Sequence, residues 1–331
     1  MESFIFSVSA VAPIVLMVLI GYFLKSIGMM NDQLAKDANK LVFRVFMPVM
    51  LFLNIYKIKD LSGFNFGFIG YVLIALLIIF VVSIPAVVAV TKDKGRRGVL
   101  VQAAFRSGYS LIGIPLAESL YGTEGAIAAT LLSAGVIPLF NILAVISLSM
   151  FSDGEGEKEK ISIKKILIGI VKNPLIIGIA AGLAALGIRA IFESCGIEFR
   201  LGNITPVMTV IQYVSNLAIP MALLVLGAQF EFAAVASMKN EIIFGTVIRT
   251  VVVPAIFVSI AYFCFRGTFT EAHYACFVSV FATPVAVTTV PMAQEMDGDV
   301  TLAGQLVVWS TLVSAVTVFL VTFLLKIGGA F

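Results

Sequence analysis

Hydroxyl, amide and guanidinium groups gather in two hydrophobic stretches of this chain, 105–122 (FRSGYSLIGIPLAESLYG) and 281–298 (FATPVAVTTVPMAQEMDG). The first holds Arg106, Ser107, Gly108, Ser110, Gly113, Pro115 and Glu118, and the second holds Thr283, Thr288, Thr289, Pro291 and Gln294. They align without a gap: Phe105 falls on Phe281, Pro115 on Pro291, Ala117 on Ala293 and Gly122 on Gly298. A proline removes one backbone hydrogen bond and clashes with the preceding turn, so each segment is expected to break as a helix in mid-membrane. Unpaired backbone is tolerated at that depth only where it is buried in protein or lines a watery cavity. The chemistry expected of such a pair is binding. A helix that restarts after a break has four N–H groups without an intrahelical partner and about half a positive charge at its end. Two such ends meeting at one point attract an anion, each contributing about 0.3–2 kcal/mol.

The hydroxyls of Ser107, Ser110, Thr283, Thr288 and Thr289 have two open readings: they contact a ligand, or they satisfy backbone groups freed by the breaks. Gly113 is expected where two backbones approach closely. Ionisable groups inside spans carry more information, because one at a helix centre costs about 2.5–3.5 kcal/mol even on the lenient insertion scale. Arg106, one residue before the small polar run, either neutralises a substrate carboxylate or makes a structural ion pair. Glu118, three residues past Pro115, is a candidate coupling site for H⁺ or Na⁺ or a residue near the aqueous end of its helix; its counterpart is the neutral Gln294. Arg249, with Gln294 a further candidate ion-coupling residue, either pairs with a carboxylate in the interior or acts as a structural tie. Asn141, three residues after Pro138, lines the site or makes an interhelical hydrogen bond. Gln102 and Gln305 are candidates of the same kind.

The elements that must position these groups are membrane helices. Hydrophobic residues make up 60% of the 331 and charged residues 12%, against about 25% charged in a soluble domain, and mean hydropathy is +1.08. At about 20 apolar residues per span, ten helices are expected near 4–27, 36–56, 66–91, 98–121, 125–151, 172–192, 205–229, 240–266, 271–295 and 300–327. The polar insertion 152–160 (SDGEGEKEK) divides the chain into two five-helix repeats, 1–151 and 161–331, with 161–172 an amphipathic lead-in. An odd number of helices makes the second repeat enter from the opposite side, which gives an inverted repeat and places the expected ligand site at the paired interruptions. Lys25, Lys36, Lys40, Lys92, Lys94, Arg96, Arg97, Lys158, Lys160, Lys164, Lys165 and Lys239 lie in connections on one side. Lys57, Lys59, Arg189, Arg200, Arg266 and Lys326 lie on the other. The richer side is assigned to the cytoplasm, so both termini are expected outside it in a multi-pass inner-membrane protein. The N-terminus lacks a basic region and a cleavage site, so 4–27 is read as a retained span.

Other chemistries find no support. Cys195, Cys264, Cys276 and the single His273 form no metal or CxxC spacing, so no metal or cofactor is expected. No basic run with interleaved aromatics points to nucleic acid. There is no P-loop, HExxH or GxSxG pattern, which argues against direct ATP drive and against an enzyme. GIAAG at 178–182 fits either a dimer contact or close packing within the chain.

The runs GIPLAESLYG (113–122), NPLIIGIAAG (173–182), IPMALLVLGA (219–228), RTVVVP (249–254) and ATPVAVTTVPMAQEM (282–296) together resemble the bacterial branch of the auxin efflux carrier family over essentially the whole chain. The resemblance implies the fold shared with bile-acid/sodium symporters. Helices 1, 2, 6 and 7 would form a scaffold that mediates homodimerisation, and helices 3–5 and 8–10 a transport domain whose fourth and ninth helices cross. It also implies an elevator motion carrying a small organic anion such as an auxin-like acid, malate or malonate. Many relatives have asparagine seven residues before the proline of the fourth span; here that position is Gly108. A sodium-coupled uptake carrier of the bile-acid type and a non-transporting membrane sensor remain open alternatives.

Overall fold

The structure, a computed structural model, describes residues 2–58, 65–151, 171–196 and 200–330. Among these, the regular elements are helices and the single β-type feature is one isolated bridge. In order they are α1 (Glu2–Ser26), α2 (Asp32–Tyr56), α3 (Phe66–Val90), α4 (Lys94–Phe105), α5 (Ile114–Phe151), α6 (Pro174–Ser194), α7 (Thr205–Ala228), α8 (Lys239–Cys264), α9 (Glu271–Phe281), α10 (Thr289–Glu295) and α11 (Val300–Ile327). Seven described helices are long and apolar enough to cross a membrane. That outcome follows from solvent: in hydrocarbon a segment must satisfy its own backbone, which a helix does. The expected connection 152–160, the lead-in 161–170, and Lys59, Lys158, Lys160, Lys164 and Lys165 lie outside the described residues.

Polar residues set the helix starts. Asn31, Asn65, Asp93, Asn173 and Asp299 each accept a backbone N–H from the first turn of the helix that follows. Prolines shape the interiors. Three π-helical turns, Val42–Phe46, Tyr109–Gly113 and Ile248–Val252, each end two residues before a proline: Pro48, Pro115 and Pro254. The ring of a helical proline clashes with the carbonyl four residues back and cannot donate to it, and one widened turn relieves the clash without breaking the helix.

Hence the breaks are not at Pro115 and Pro291, although Pro284 lies inside the ninth. The fourth segment leaves helical geometry at Arg106–Gly108, and the ninth between Phe281 and Thr289. Pro291 instead sits in the first turn of the restarted helix α10, where a missing N–H costs little because those donors have no intrahelical partner, and Pro115 follows the widened turn with which the fourth segment restarts at Tyr109. α5 itself is two helices in series. Tyr121 (φ −141°) and Gly122 (φ 57°, ψ −148°) turn the chain between the short restart after the break and the long helix that follows, and the positive φ is one that glycine adopts without steric cost.

The helices pack as two groups. α1 lies on α7, and α2 lies on both α6 and α7. α9 packs against α5, and α4 lies between α3 and α5. A methyl group added at Gly21 would strike the backbone of Leu224, and one at Gly227 the backbone of Val18, so α1 and α7 touch main chain to main chain. Gly178 and Gly182 likewise press on Pro48, Phe52 and Ile55 of α2. The GIAAG stripe is therefore an internal packing surface. Arg96 at the start of α4 joins Glu241 of α8 (2.9 Å) and Asp299 before α11 (3.1 Å), fixing three helix starts together.

Candidate functional site

The interruptions in the fourth and ninth segments meet. Ser107 and Val285 form an antiparallel bridge. Gly108 N–H donates to the Pro284 carbonyl (2.8 Å), and Ala286 N–H donates to the Arg106 carbonyl (3.2 Å). Two extended pieces of backbone thus satisfy each other in the protein interior, where water is not available to do so. Val285 N–H is taken by Ser310 Oγ of α11 at 3.0 Å.

The carbonyls that end α4 and α9 are held by one residue. Arg249, fully buried in the widened turn of α8, donates from Nε to Thr283 O (2.9 Å), from Nη1 to Ala104 O and Phe105 O (3.3 Å each), and from Nη2 to Val280 O. A cation here faces the negative ends of two helices, the favourable polarity. Of the two readings left open by the sequence, the structure selects the tie. Its partners are carbonyls, and no carboxylate lies in contact with it among the described residues.

Arg106 is different. It is only 3% exposed, and its contacts are Asn141 Oδ1 (2.9 Å, from Nη2) and the Met292 thioether (from Nη1). Among the described residues it has no carboxylate partner. Asn141 is itself oriented by donating to Ile137 O (2.8 Å), so its oxygen faces the guanidinium. Beside them is a cavity of about 50 Å³ bordered by Arg106, Ser107, Gly108, Ser110, Asn141 and Thr288. Ile14, Met47 and Ile219, from α1, α2 and α7, close its other side. The volume accommodates a few waters or a carboxylate group. Ser107 Oγ, on this wall, is buried and has no hydrogen-bond partner; leaving it so costs about 1–3 kcal/mol.

Several residues proposed from sequence fall outside the cavity. Gly113 serves close approach, since a methyl group there would meet the Tyr109 ring and the Ser279 carbonyl at 2.9 Å. Thr283 donates to Ser279 O at 2.7 Å, so its hydroxyl serves the backbone. Thr289 is buried with an unpartnered hydroxyl but is not on the cavity wall. Pro115 and Glu118 are exposed, and Pro291 is buried with its carbonyl 3.5 Å from Asn39 Nδ2. Gln294 links elements instead: it accepts from Gln229 (3.0 Å) and donates to Lys36 O (3.3 Å). The restarts are also unequal. α10 has seven residues, too few for the full dipole expected of a symmetric pair. Sequence reasoning missed Met292 and Ser310, since a thioether and one more serine in apolar runs give no sign of their partners.

The chain matches the membrane transport protein family over residues 6–322. It is 25% identical to an uncharacterized transporter of Methanothermobacter thermautotrophicus over 321 residues, covering 95% of this chain and 97% of the relative. It is 26% identical over 248 residues to an uncharacterized transporter of Methanocaldococcus jannaschii, covering 73% and 75% of the two chains.

Proposed function

We propose, from the premise that this chain belongs to the auxin efflux carrier family of membrane transport proteins, that it is a secondary carrier of a small organic anion bearing a carboxylate. Membership makes the chain a membrane transporter and not an enzyme. The observation that carries the substrate class is Arg106: a buried guanidinium with no carboxylate partner among the described residues, held by Asn141 on the wall of a cavity at the crossing. A buried charge is costly unless paired, and a ligand carboxylate completes it with charge-assisted hydrogen bonds. Ser107 Oγ supplies a further donor, and the cavity takes one carboxylate group of an acid such as malate or malonate.

The mechanism we favour is an elevator. α1, α2, α6 and α7 form the scaffold, a second copy docks on its outer face as a homodimer, and the remaining helices move as a transport domain. The cavity supports this reading because its walls come from both packing groups, so sliding one against the other changes the side from which the anion is reached. Ten spans in two inverted repeats, divided at 152–160, put both termini outside the cytoplasm at the inner membrane. Coupling to H⁺ or Na⁺ runs through a group other than Arg249, whose donors are occupied. Counterflow in proteoliposomes tests the proposal: labelled malonate or malate should exchange across the bilayer only when the protein is present. Saturable binding of these acids without exchange would make the chain a sensor and overturn the reading. Single cysteines at 92–97 shielded from an impermeant thiol reagent, with residue 330 labelled, would support the orientation.

A further inference from the structure

Away from the crossing, α8 and α11 run side by side and splay to leave a groove of about 560 Å³, within the range of ligand pockets. Val251, Ala255 and Phe263 of α8 and Leu320, Leu324 and Ile327 of α11 line it, all exposed on two helices long and apolar enough to cross a membrane. Its inner end is Thr250, next to Arg249, and its outer end is Tyr262 and Phe263. From Thr250 to Phe263 a helix rises about 20 Å, somewhat more than the roughly 15 Å of one leaflet's hydrocarbon. The groove therefore has the length and polarity of a lipid tail.

Its mouth adds a charge. The Arg266 guanidinium sits 5.4 Å over the Tyr262 ring, it is exposed, and among the described residues it contacts no carboxylate. Tyr262 in turn donates to Gly328 O, fixing the mouth between the two helix ends. Arg266 lies in a connection on the face poorer in basic residues, so the topological bias does not account for it. We propose that this groove is a specific site for an anionic phospholipid, with one acyl chain between α8 and α11 and the phosphate on Arg266. The tail ends against the turn of α8 that carries Arg249, so an occupied groove braces the residue that holds both ends of the crossing.

The test uses the full chain reconstituted in bilayers, with Trp309→Phe removing the one native tryptophan and Phe263→Trp placing a reporter in the groove. Bromine-labelled acyl chains quench tryptophan on contact. Half-maximal quenching should need about fivefold less brominated phosphatidylglycerol than brominated phosphatidylcholine, the ratio expected for one basic group at a membrane surface. Arg266→Gln should bring the two lipids within about twofold of each other. Ala255→Phe, which narrows the groove and keeps the cation, should weaken quenching by both. Equal quenching by the two lipids with Arg266 present, or a preference that survives Arg266→Gln, would overturn the proposal. Undiminished quenching in the Ala255→Phe protein would also overturn it, since the chain would then lie elsewhere.

Discussion

Ser107 and Val285 face one another as a single antiparallel bridge, and through it two interrupted helices exchange the hydrogen bonds that neither can make alone. Gly108 supplies one of those donors. Gly108→Pro removes it and leaves the Pro284 carbonyl unpaired, a loss of about 1–3 kcal/mol. Thermal unfolding of the purified variant should begin several degrees lower, with membrane insertion unaffected; an unchanged melting curve would mean that the bridge is incidental. Gly108→Asn is the contrasting case. A Cβ at this position meets nothing closer than Pro284 O at 3.7 Å, so this variant should fold normally, and its side chain should shrink the cavity and disfavour the bulkier acids in counterflow.

Arg249 answers the carbonyls at the C-terminal ends of α4 and α9. Arg249→Met keeps the bulk and removes every donor, at a cost of about 1–3 kcal/mol for each buried carbonyl left unpaired. The measurement is the unfolding midpoint in detergent. Arg249→Lys should recover part of the loss, because an ammonium can reach some of these carbonyls but not with a planar fork. If the Met variant were as stable as the parent, the crossing would be held by something else.

What the sequence made legible was the pair of interruptions and their polar content, since prolines and hydroxyls within apolar runs stand out from the composition of a membrane helix. The location of the breaks was not legible. Local spacing points to Pro115 and Pro291 as the ruptures, whereas Pro115 follows a widened turn and Pro291 lies in the first turn of α10, and the ruptures fall at Arg106–Gly108 and between Phe281 and Thr289, the second around Pro284. The reason is tertiary: extended backbone persists where a second strand and Arg249 satisfy it, and neither partner is visible from local spacing. Arg106 and Arg249 looked alike as isolated charges in spans. Only the partners, carbonyls for one and an amide and a thioether for the other, separate a tie from a candidate ligand group.

Gly178 and Gly187 on α6 provide an internal comparison. A methyl group at Gly178 would strike the backbone of Pro48, while at Gly187 it would meet nothing within 4 Å. Gly178→Ala should destabilise by about 1–3 kcal/mol through overpacking. Gly187→Ala should be neutral or slightly stabilising, by up to about 1 kcal/mol of helix propensity. Mass photometry in detergent distinguishes a dimer seam: loss of dimer in Gly178→Ala with no change in unfolding would contradict the internal packing seen here.

Arg44 of α2 meets Glu295 of α10 at 3.0 Å, one of the ties between the two packing groups. Glu295 is nearly buried and Arg44 mostly exposed, so the pair is worth at most about 1 kcal/mol. Under the proposed elevator motion this contact would break in every cycle, which a weak tie of this kind suits. With the native cysteines replaced, a cysteine introduced by Ser110→Cys should react with a thiol reagent up to about fivefold faster in the Glu295→Gln background. Identical rates would show that this pair does not restrain the groups.

Arg106 gives the most direct test of the chemistry. If its guanidinium holds a carboxylate, Arg106→Gln should weaken binding of an anionic ligand such as malonate by about 1.5–3 kcal/mol, the scale of a hydrogen bond to a charged group. The corresponding neutral amide should lose far less, because it never engaged the charge. Arg106→Lys should rescue in part, since a point-charge ammonium cannot reproduce the fork that contacts Asn141 and the ligand together. Asn141→Ala leaves the cation in place but releases its orientation, so it should weaken acid binding less than Arg106→Gln does. Isotherms for the acid and the amide on each purified variant make the comparison. Equal weakening of both ligands in Arg106→Gln would assign Arg106 to the fold and move anion recognition to the backbone donors of the restarted helix α5.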